Sequence, residues 1–255
     1  MVLLSGEEAH HAATAFRLAP GEVIDVVNGA GLRATGTVAA VAANRVEVAV
    51  ERVVAEARPV RAITLVQALA KHKRDEQAVS QAVELGVDRI IPWQADRSVV
   101  RWPPAKAEAG QTRWASLAKS AAKVARRAYL PPVEAMVTTA QLISQLAVIQ
   151  PTDQTSVRQG TGHGLNRSAS QAVVVLHEAA SQSLPAWYAR WSGQAESSAG
   201  IVLVVGPEGG ITDAEVATFE TTLGAAVVSL GANVLRSSTA GPAALAALSA
   251  LTGRW

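Results

Sequence analysis

Val205-Gly206-Pro207-Glu208-Gly209-Gly210-Ile211-Thr212 follows the continuous apolar run Ile201-Val202-Leu203-Val204. Some twenty residues later comes Leu230-Gly231-Ala232-Asn233-Val234-Leu235-Arg236-Ser237-Ser238-Thr239-Ala240. Each segment reads as strand, glycine-bearing loop and helix start. The apolar run suits a strand covered on both faces. Open α/β sheets bind ligands in the crevice outside the carboxyl ends of their strands. Gly206, Gly209 and Gly210 permit unusual backbone angles and close approach by a ligand, and Pro207 stiffens the turn. Thr212-Asp213-Ala214-Glu215 predicts a capping box that opens a helix, and Gly224 suits its end. From the glycines alone, a tight turn without a ligand and a ligand cradle stand equal. The spacing is neither the dinucleotide fingerprint nor a phosphate-binding P-loop, which needs a Lys after the last glycine.

Together the two segments resemble the RsmE-type family of small-subunit ribosomal RNA uridine-N3 methyltransferases, in the SPOUT superfamily. That family carries Gly-Pro-Glu-Gly-Gly, matched in full here, and then Leu-Gly-Pro-Arg-Ile-Leu-Arg-Thr-Glu-Thr-Ala. The second motif is matched at Leu230, Gly231, Leu235, Arg236, Thr239 and Ala240. Ser238 stands where the family has Glu, and Ala232-Asn233 replaces Pro-Arg. The resemblance spans nearly the whole chain. Glu8-Ala9-His10-His11, Phe16-Arg17-Leu18 and Pro20-Gly21-Glu22 resemble the family's amino-terminal domain. Ala68-Leu69-Ala70-Lys71, Glu84-Leu85-Gly86-Val87, Ile91-Pro92 and Arg97-Ser98-Val99 resemble its central region. The segment Ala121-Ala122-Lys123-Val124-Ala125-Arg126-Arg127 departs from the family's usual Ala-Ala-x-Gln-Ser-x-Arg but keeps its basic end.

Length fits one large or two smaller domains, and the charge distribution fits an RNA partner. A chain of 255 residues can bury a real core. With no cysteine, disulfides and Cys-ligated metals are excluded. No apolar run reaches membrane-spanning length and no export signal opens the chain, so a cytoplasmic protein without membrane association is expected. The net charge of +2 is uninformative, but its distribution is not. Residues 61–130 hold 13 basic and 6 acidic side chains, while both flanks are net acidic. A concentrated positive field suits a phosphate backbone; solvated basic helix faces are the alternative.

Strands are predicted at 23–27, 34–41 and 45–53, with Asn28-Gly29 and Gly31 as turns, which suggests a small barrel. Residues 55–59 form the joint. From Arg61, strands at 63–68, 89–91, 172–177, 201–205 and 227–230 alternate with helices, which argues a mostly parallel sheet. Helices are predicted at 75–85, from Pro103-Pro104 to about Tyr129 with a stripe through Trp114, Leu117, Ala121 and Val124, and from Ser238 or Thr239 onward, with Pro242 in the first turn. The polar segment 152–171 reads as a mobile insertion, and 192–200 as a shorter loop of the same kind.

The resemblance implies an α/β fold: a PUA-like RNA-binding β-barrel over residues 1–57, then a trefoil-knotted SPOUT domain over 60–255. A knot runs against the general rule of chain connection and is expected only from the resemblance. It would bring His177-Glu178, 206–210 and 230–240 together around bent S-adenosylmethionine, with no metal. The implied cofactor contacts are Leu176, His177, Val205, Gly206, Pro207, Glu208, Gly209, Gly210, Leu230, Gly231, Val234, Leu235, Thr239 and Ala240. The implied reaction is methyl transfer to N3 of a specific uridine in 16S ribosomal RNA of the small subunit, by a homodimer.

Neutral uracil N3 is a poor nucleophile, so a base or a cation that stabilises the uracil anion is needed. Arg236 is the candidate cation, or a helix-end or phosphate contact. Glu208 is a candidate base, or fixes the loop by accepting amide hydrogen bonds. His177 borders the cofactor or is a turn histidine, and His10 and His11 touch RNA or cap a turn. With His72 and His163 they show no metal-ligand spacing. Candidate RNA contacts are Arg17, Arg33, Lys71, Lys73, Arg74, Arg97, Arg126 and Arg127. Three readings remain open: this uridine methyltransferase, a SPOUT enzyme on another RNA target such as a transfer RNA ribose hydroxyl, and a non-catalytic RNA-binding or assembly factor. Cofactor binding separates the enzymes from the binder, and the modified nucleoside separates the enzymes from each other.

Overall fold

The computed structural model describes residues 1–147, 171–196 and 198–255. The polar segment expected at 152–171 lies outside them except for its last residue. The chain divides into two compact units, Met1–Arg58 with Arg126–Leu130, and Pro59–Ala125 with Pro131–Trp255.

The first unit is an antiparallel sheet of β1 (Val2–Ser5), β2 (Val23–Val27), β3 (Leu32–Ala42) and β4 (Arg45–Ala55), in the order β1-β4-β3-β2. Bulges at Thr35/Gly36 and Val38/Ala40 coil the long β3–β4 pair. Helix α1 (Gly6–Thr14) lays Ala9 and Ala12 on Val38, Val46 and Val48, which form the core. β1 and α1 are absent from the sequence expectation because each is short and weakly patterned.

The segment 126–130 completes this unit. Gly31 N donates to Ala128 O at 3.0 Å, Leu130 N to Gly29 O at 2.9 Å, and Tyr129 Oη to Glu56 O at 2.8 Å. Gly31 has φ +99°, and a Cβ there would enter the Tyr129 ring. This corrects the helix expected to run to Tyr129. It ends at Val124, because Arg126 turns into the left-handed region at φ 53° and the next residues pair with the barrel turn. Arg33 ties the same segment down: Nε donates to Glu56 at 2.6 Å, one terminal nitrogen to Asp25 at 3.2 Å, and the other to the Arg126 carbonyl at 2.7 Å. The Thr35 hydroxyl lowers the Asp25 carboxyl below its ordinary value against the opposing effect of burial, and Arg33 adds to the lowering.

The second unit is a parallel sheet in the order β10-β8-β9-β5-β6-β7. Its strands are β5 (Ile63–Ala68), β6 (Arg89–Gln94), β7 (Val137–Thr138), β8 (Gln171–Leu176), β9 (Gly200–Val205) and β10 (Ala226–Val228). Alternate side chains of β9 serve two cores. Ile201, Leu203 and Val205 join Leu65, Val83, Trp114, Leu245 and Leu248. Val202 and Val204 join Val66, Trp93, Leu142 and Phe219 on the other face. Helices α2 (Arg74–Glu84), α3 (Pro104–Val124), α5 (Leu184–Ser192) and α7 (Ser237–Leu251) cover the first face, and α4 (Thr139–Ala147) and α6 (Asp213–Leu223) the second. The Thr212–Glu215 capping box opens α6, and Gly224 at φ 60° ends it, as expected.

The chain leaving β10 does not continue outward from the sheet edge. Ser229 N donates to Gln182 O at 2.9 Å and Leu184 N to Ser229 O at 3.0 Å, which holds it against the segment between β8 and α5. It then passes β8, and α7 lies back on the middle strands. A Cβ on Gly241 would stand 3.1 Å from Leu65 Cδ1 and 3.4 Å from Val205 Cγ2. This return is the path that a knotted carboxyl end requires.

Arg254 secures the end of α7. It donates to Gly86 O at 2.9 Å, to Arg61 O, and to Asp88 at 2.6 Å, and Asp88 also accepts Ile63 N at 2.7 Å. Both side chains of the ion pair are about nine-tenths buried, at 11% and 10% exposure. Arg254→Ala strands a buried carboxylate and is expected to cost about 3 kcal/mol in urea unfolding.

Candidate active site

Three strand-end loops meet at one cleft of about 560 Å³, a volume ordinary for a small-molecule site. β8 contributes Leu176, His177 and Glu178. The loop after β9 contributes Val205, Gly206, Pro207, Glu208, Gly209, Gly210 and Ile211. The loop after β10 and the first turn of α7 contribute Val234, Leu235, Arg236, Ser237 and Ala240.

The glycine loop is shaped by close packing. A Cβ on Gly206 would lie 2.7 Å from Ile211 Cγ1, and Gly210 adopts φ +74°. Arg97, from the loop after β6, donates to Gly209 O at 3.2 Å, and a Cβ on Gly209 would lie 3.2 Å from Arg97 Cβ. Glu208 turns toward the loop after β5: its Oε1 accepts Lys71 N at 2.9 Å and faces Arg74 at 3.4 Å. Glu215, 3% exposed, holds the far end of the loop. It accepts from Asp96 N at 2.9 Å, Thr139 Oγ1 at 2.7 Å, and Thr212 N and Oγ1, both at 3.0 Å.

Most of the sequence-derived cofactor set lines the cleft. Leu230, Gly231 and Thr239 do not. Leu230 packs on the core edge, Gly231 is exposed at φ +111°, and Thr239 lies on the exposed side of α7. The family departures at Asn233 and Ser238 are also outside the lining. His177 is a turn histidine at the cleft wall, its Nδ1 accepting Ala179 N at 3.2 Å. Of the RNA candidates, Arg74 and Arg97 line the cleft, and Lys71 and Lys73 are exposed beside α2. Arg17, at φ 50°, and Arg126 are exposed on the first unit, and Arg127 is partly buried and partnered. Arg33 is engaged within its own unit through all the donors described above.

Ile211 and Asp213 also line the cleft without having been singled out from the sequence, as do Glu178 and Ser237, which the sequence reading placed in the loops around the cofactor without naming them among its contacts. A helical-wheel reading of α7 would have found Ser237, which lies three residues before Ala240 on the same face. Among the described residues, no group of three His, Asp or Glu is placed to hold a metal.

A family model described as an RNA methyltransferase domain matches residues 56–249, and one described as an RNA methyltransferase PUA domain matches residues 4–51. Fold and cleft thus define the class as an RNA methyltransferase. Ribosomal RNA small subunit methyltransferase E of Mycobacterium bovis is 37% identical over 257 residues, covering 100% of this chain and 88% of its own. The Bacillus subtilis protein of that name is 30% identical, covering 96% and 88%. The crystal structure of ribosomal RNA small subunit methyltransferase E from Neisseria gonorrhoeae, bound to S-adenosylmethionine, aligns with a TM-score of 0.78 at 25% identity, covering 98% of this chain and 91% of that one. The chain belongs to the ribosomal RNA small subunit methyltransferase E family.

Burial raises the Asp75 carboxyl above its ordinary value of 3.8, overriding the Ala70 and Glu76 N–H donors. A raised folded value means that its contribution to stability is fully present below the unfolded pKa and lost as pH rises through the folded one. The stability of Asp75→Asn relative to wild type should therefore rise as pH is raised above about 3.8 in chemical denaturation.

Proposed function

We propose that the cleft binds S-adenosylmethionine and that the protein methylates N3 of a uridine in small-subunit (16S) ribosomal RNA. The observation that carries this reading is the convergence of the β8, β9 and β10 loops on one cleft rich in backbone groups. The residues fit the cofactor. Leu176, Val205, Ile211, Val234, Leu235 and Ala240 offer apolar walls, and the glycine loop admits close approach. Family membership over the full chain favours this reading over a different RNA target or a non-catalytic binder.

Bound S-adenosylmethionine supplies an electrophilic methyl group. The protein's task is then to align the uracil and to favour its N3 anion. Arg236 is exposed at the N-cap of α7, at the mouth of the cleft, and is the cation for that anion. Glu208 is a positioning residue: its carboxylate joins the glycine loop to Lys71 and Arg74 and is thereby taken from the role of base. Arg97 holds Gly209 and, with Arg74, Lys71 and Lys73, presents positive charge to phosphates. Arg17 and Arg126 do so on the first unit. The protein works in the cytoplasm, without membrane association, as a homodimer. The family resemblance supports the dimer, and exposed Val234, Leu251 and Trp255 on and beside α7 are compatible with it.

Calorimetry is expected to show S-adenosylmethionine binding, and nucleoside mass spectrometry of ribosomal RNA from a deletion strain to show loss of N3-methyluridine; persistence of that nucleoside rejects the target. Arg236→Ala should leave cofactor affinity within about threefold while turnover falls at least about tenfold. An equal loss of both would make Arg236 a cofactor ligand. Glu208→Gln keeps an acceptor for Lys71 N and should retain turnover within about fivefold, whereas a general base would lose about a hundredfold or more.

A further inference from the structure

The first turn of α7 carries a set of donors that the assignments above leave unused. Ser237 is 7% exposed and lines the cleft, yet its buried Oγ has no hydrogen-bond partner. A buried hydroxyl without a partner costs stability unless something supplies one. Among the described residues the N–H groups of Ser237 and Ser238 are also without acceptors; the α7 ladder begins with Thr239 N and Ala240 N, both on Arg236 O. These are orphan donors of a fifteen-residue helix, where the backbone dipoles favour negative charge. Arg236 adds a formal cation at the same place.

Resting on the methyltransferase reading above, we propose that the amino-terminal turn of α7 is an oxyanion station for the target uracil. Ser237 Oγ–H, with the Ser237 N–H group, donates to a uracil carbonyl oxygen. Loss of the N3 proton spreads negative charge over N3 and the two flanking carbonyl oxygens. Fixed donors aimed at such an oxygen lower the cost of the anion without reorganisation at the moment of reaction. The N3 proton leaves to solvent, the N3 lone pair forms the bond to the methyl carbon, and the electron pair of the broken sulfur–carbon bond stays on sulfur. Ser237 thus acts on the substrate and is a specificity element for a base whose acidic nitrogen is flanked by carbonyls. Cytosine, with an exocyclic amine beside its N3, presents a donor there on that side.

The ionisable groups around the cleft are His177 and Glu178 from β8, Glu208 and Asp213 from the glycine loop and α6, Arg74 from α2, Arg97 after β6, and Arg236 itself. None is altered by a change at Ser237, so the pH profile of a variant against wild type reads the uracil.

The test compares wild type, Ser237→Ala and Ser237→Thr on ribosomal RNA, with S-adenosylmethionine affinity measured separately by calorimetry. Ser237→Ala should keep thermal stability at or above wild type, because it deletes an unpartnered polar atom. It should bind the cofactor within about threefold, lose about tenfold or more in kcat near neutral pH, and recover part of that loss as pH rises, its kinetic pKa moving upward. Ser237→Thr, which keeps the hydroxyl, should restore kcat to within about threefold.

A tenfold loss of cofactor affinity in Ser237→Ala, absent for an analogue lacking the carboxylate, would assign the station to the cofactor's amino-acid tail and overturn the proposal. A uniform loss with an unshifted pH profile, or no loss at all, would overturn it too. Wild type that binds cofactor but forms no N3-methyluridine would reject the assigned reaction first, and this proposal with it.

Discussion

The contact on which the rest depends is the approach of α7 to the middle of the sheet at Gly241. That helix starts from an edge strand, and a residue without a side chain lets it settle on Leu65 and Val205 without displacing the Leu65 methyl, 3.1 Å from where a Cβ would stand. The same contact carries Arg236, Ser237 and Ala240 to a position opposite the glycine loop. Burial of Leu245 and Leu248 in the first core supplies the driving force, and Arg254 locks the far end onto Asp88. A ligand cleft is therefore a consequence of how the carboxyl end packs.

Two carboxylates divide the work of holding the glycine loop. Glu215 is fully enclosed and spends both oxygens on the capping box, the Asp96 amide and Thr139, so it fixes where the loop ends. Glu208 is partly exposed and reaches across to the Lys71 amide and Arg74, so it fixes where the loop begins. In both, the carboxylate's partners are fixed donors, and a carboxylate so engaged is a brace. The site's cationic character then comes from arginines at its rim and from the orphan donors of α7.

Several features were legible without coordinates. The apolar run at 201–205 and its two-sided burial follow from β-branched residues without alternation, and the capping box at Thr212 and Glu215 was readable from four letters. The glycine loop was recognisable because backbone conformations closed to other residues leave a compositional mark. Less was visible where the signal was short. β7 has two residues, α4 and α5 nine each, and their apolar positions make no sense until the sheet they cover is known. The helix overrun past Val124 has a related cause. Its alanine- and arginine-rich sequence favours continuation, and only the pairing of 128–130 with the turn at Gly29–Gly31 ends it.

By itself the sequence determined the alternation of strands and helices and the loops that line the cleft, because glycine positions, helix caps and hydrophobic period act locally and are written in adjacent residues; the family came from the resemblance of two motifs. Tertiary structure alone decided which side of α7 faces the cleft, that Glu208 meets the Lys71 amide, that Arg33 meets Asp25 and Glu56, that Leu230, Gly231 and Thr239 turn away, and that Ser237 is buried with an unanswered hydroxyl. Those outcomes depend on groups far apart in the chain, such as Lys71 with Glu208, and no local pattern records which distant donor meets which acceptor.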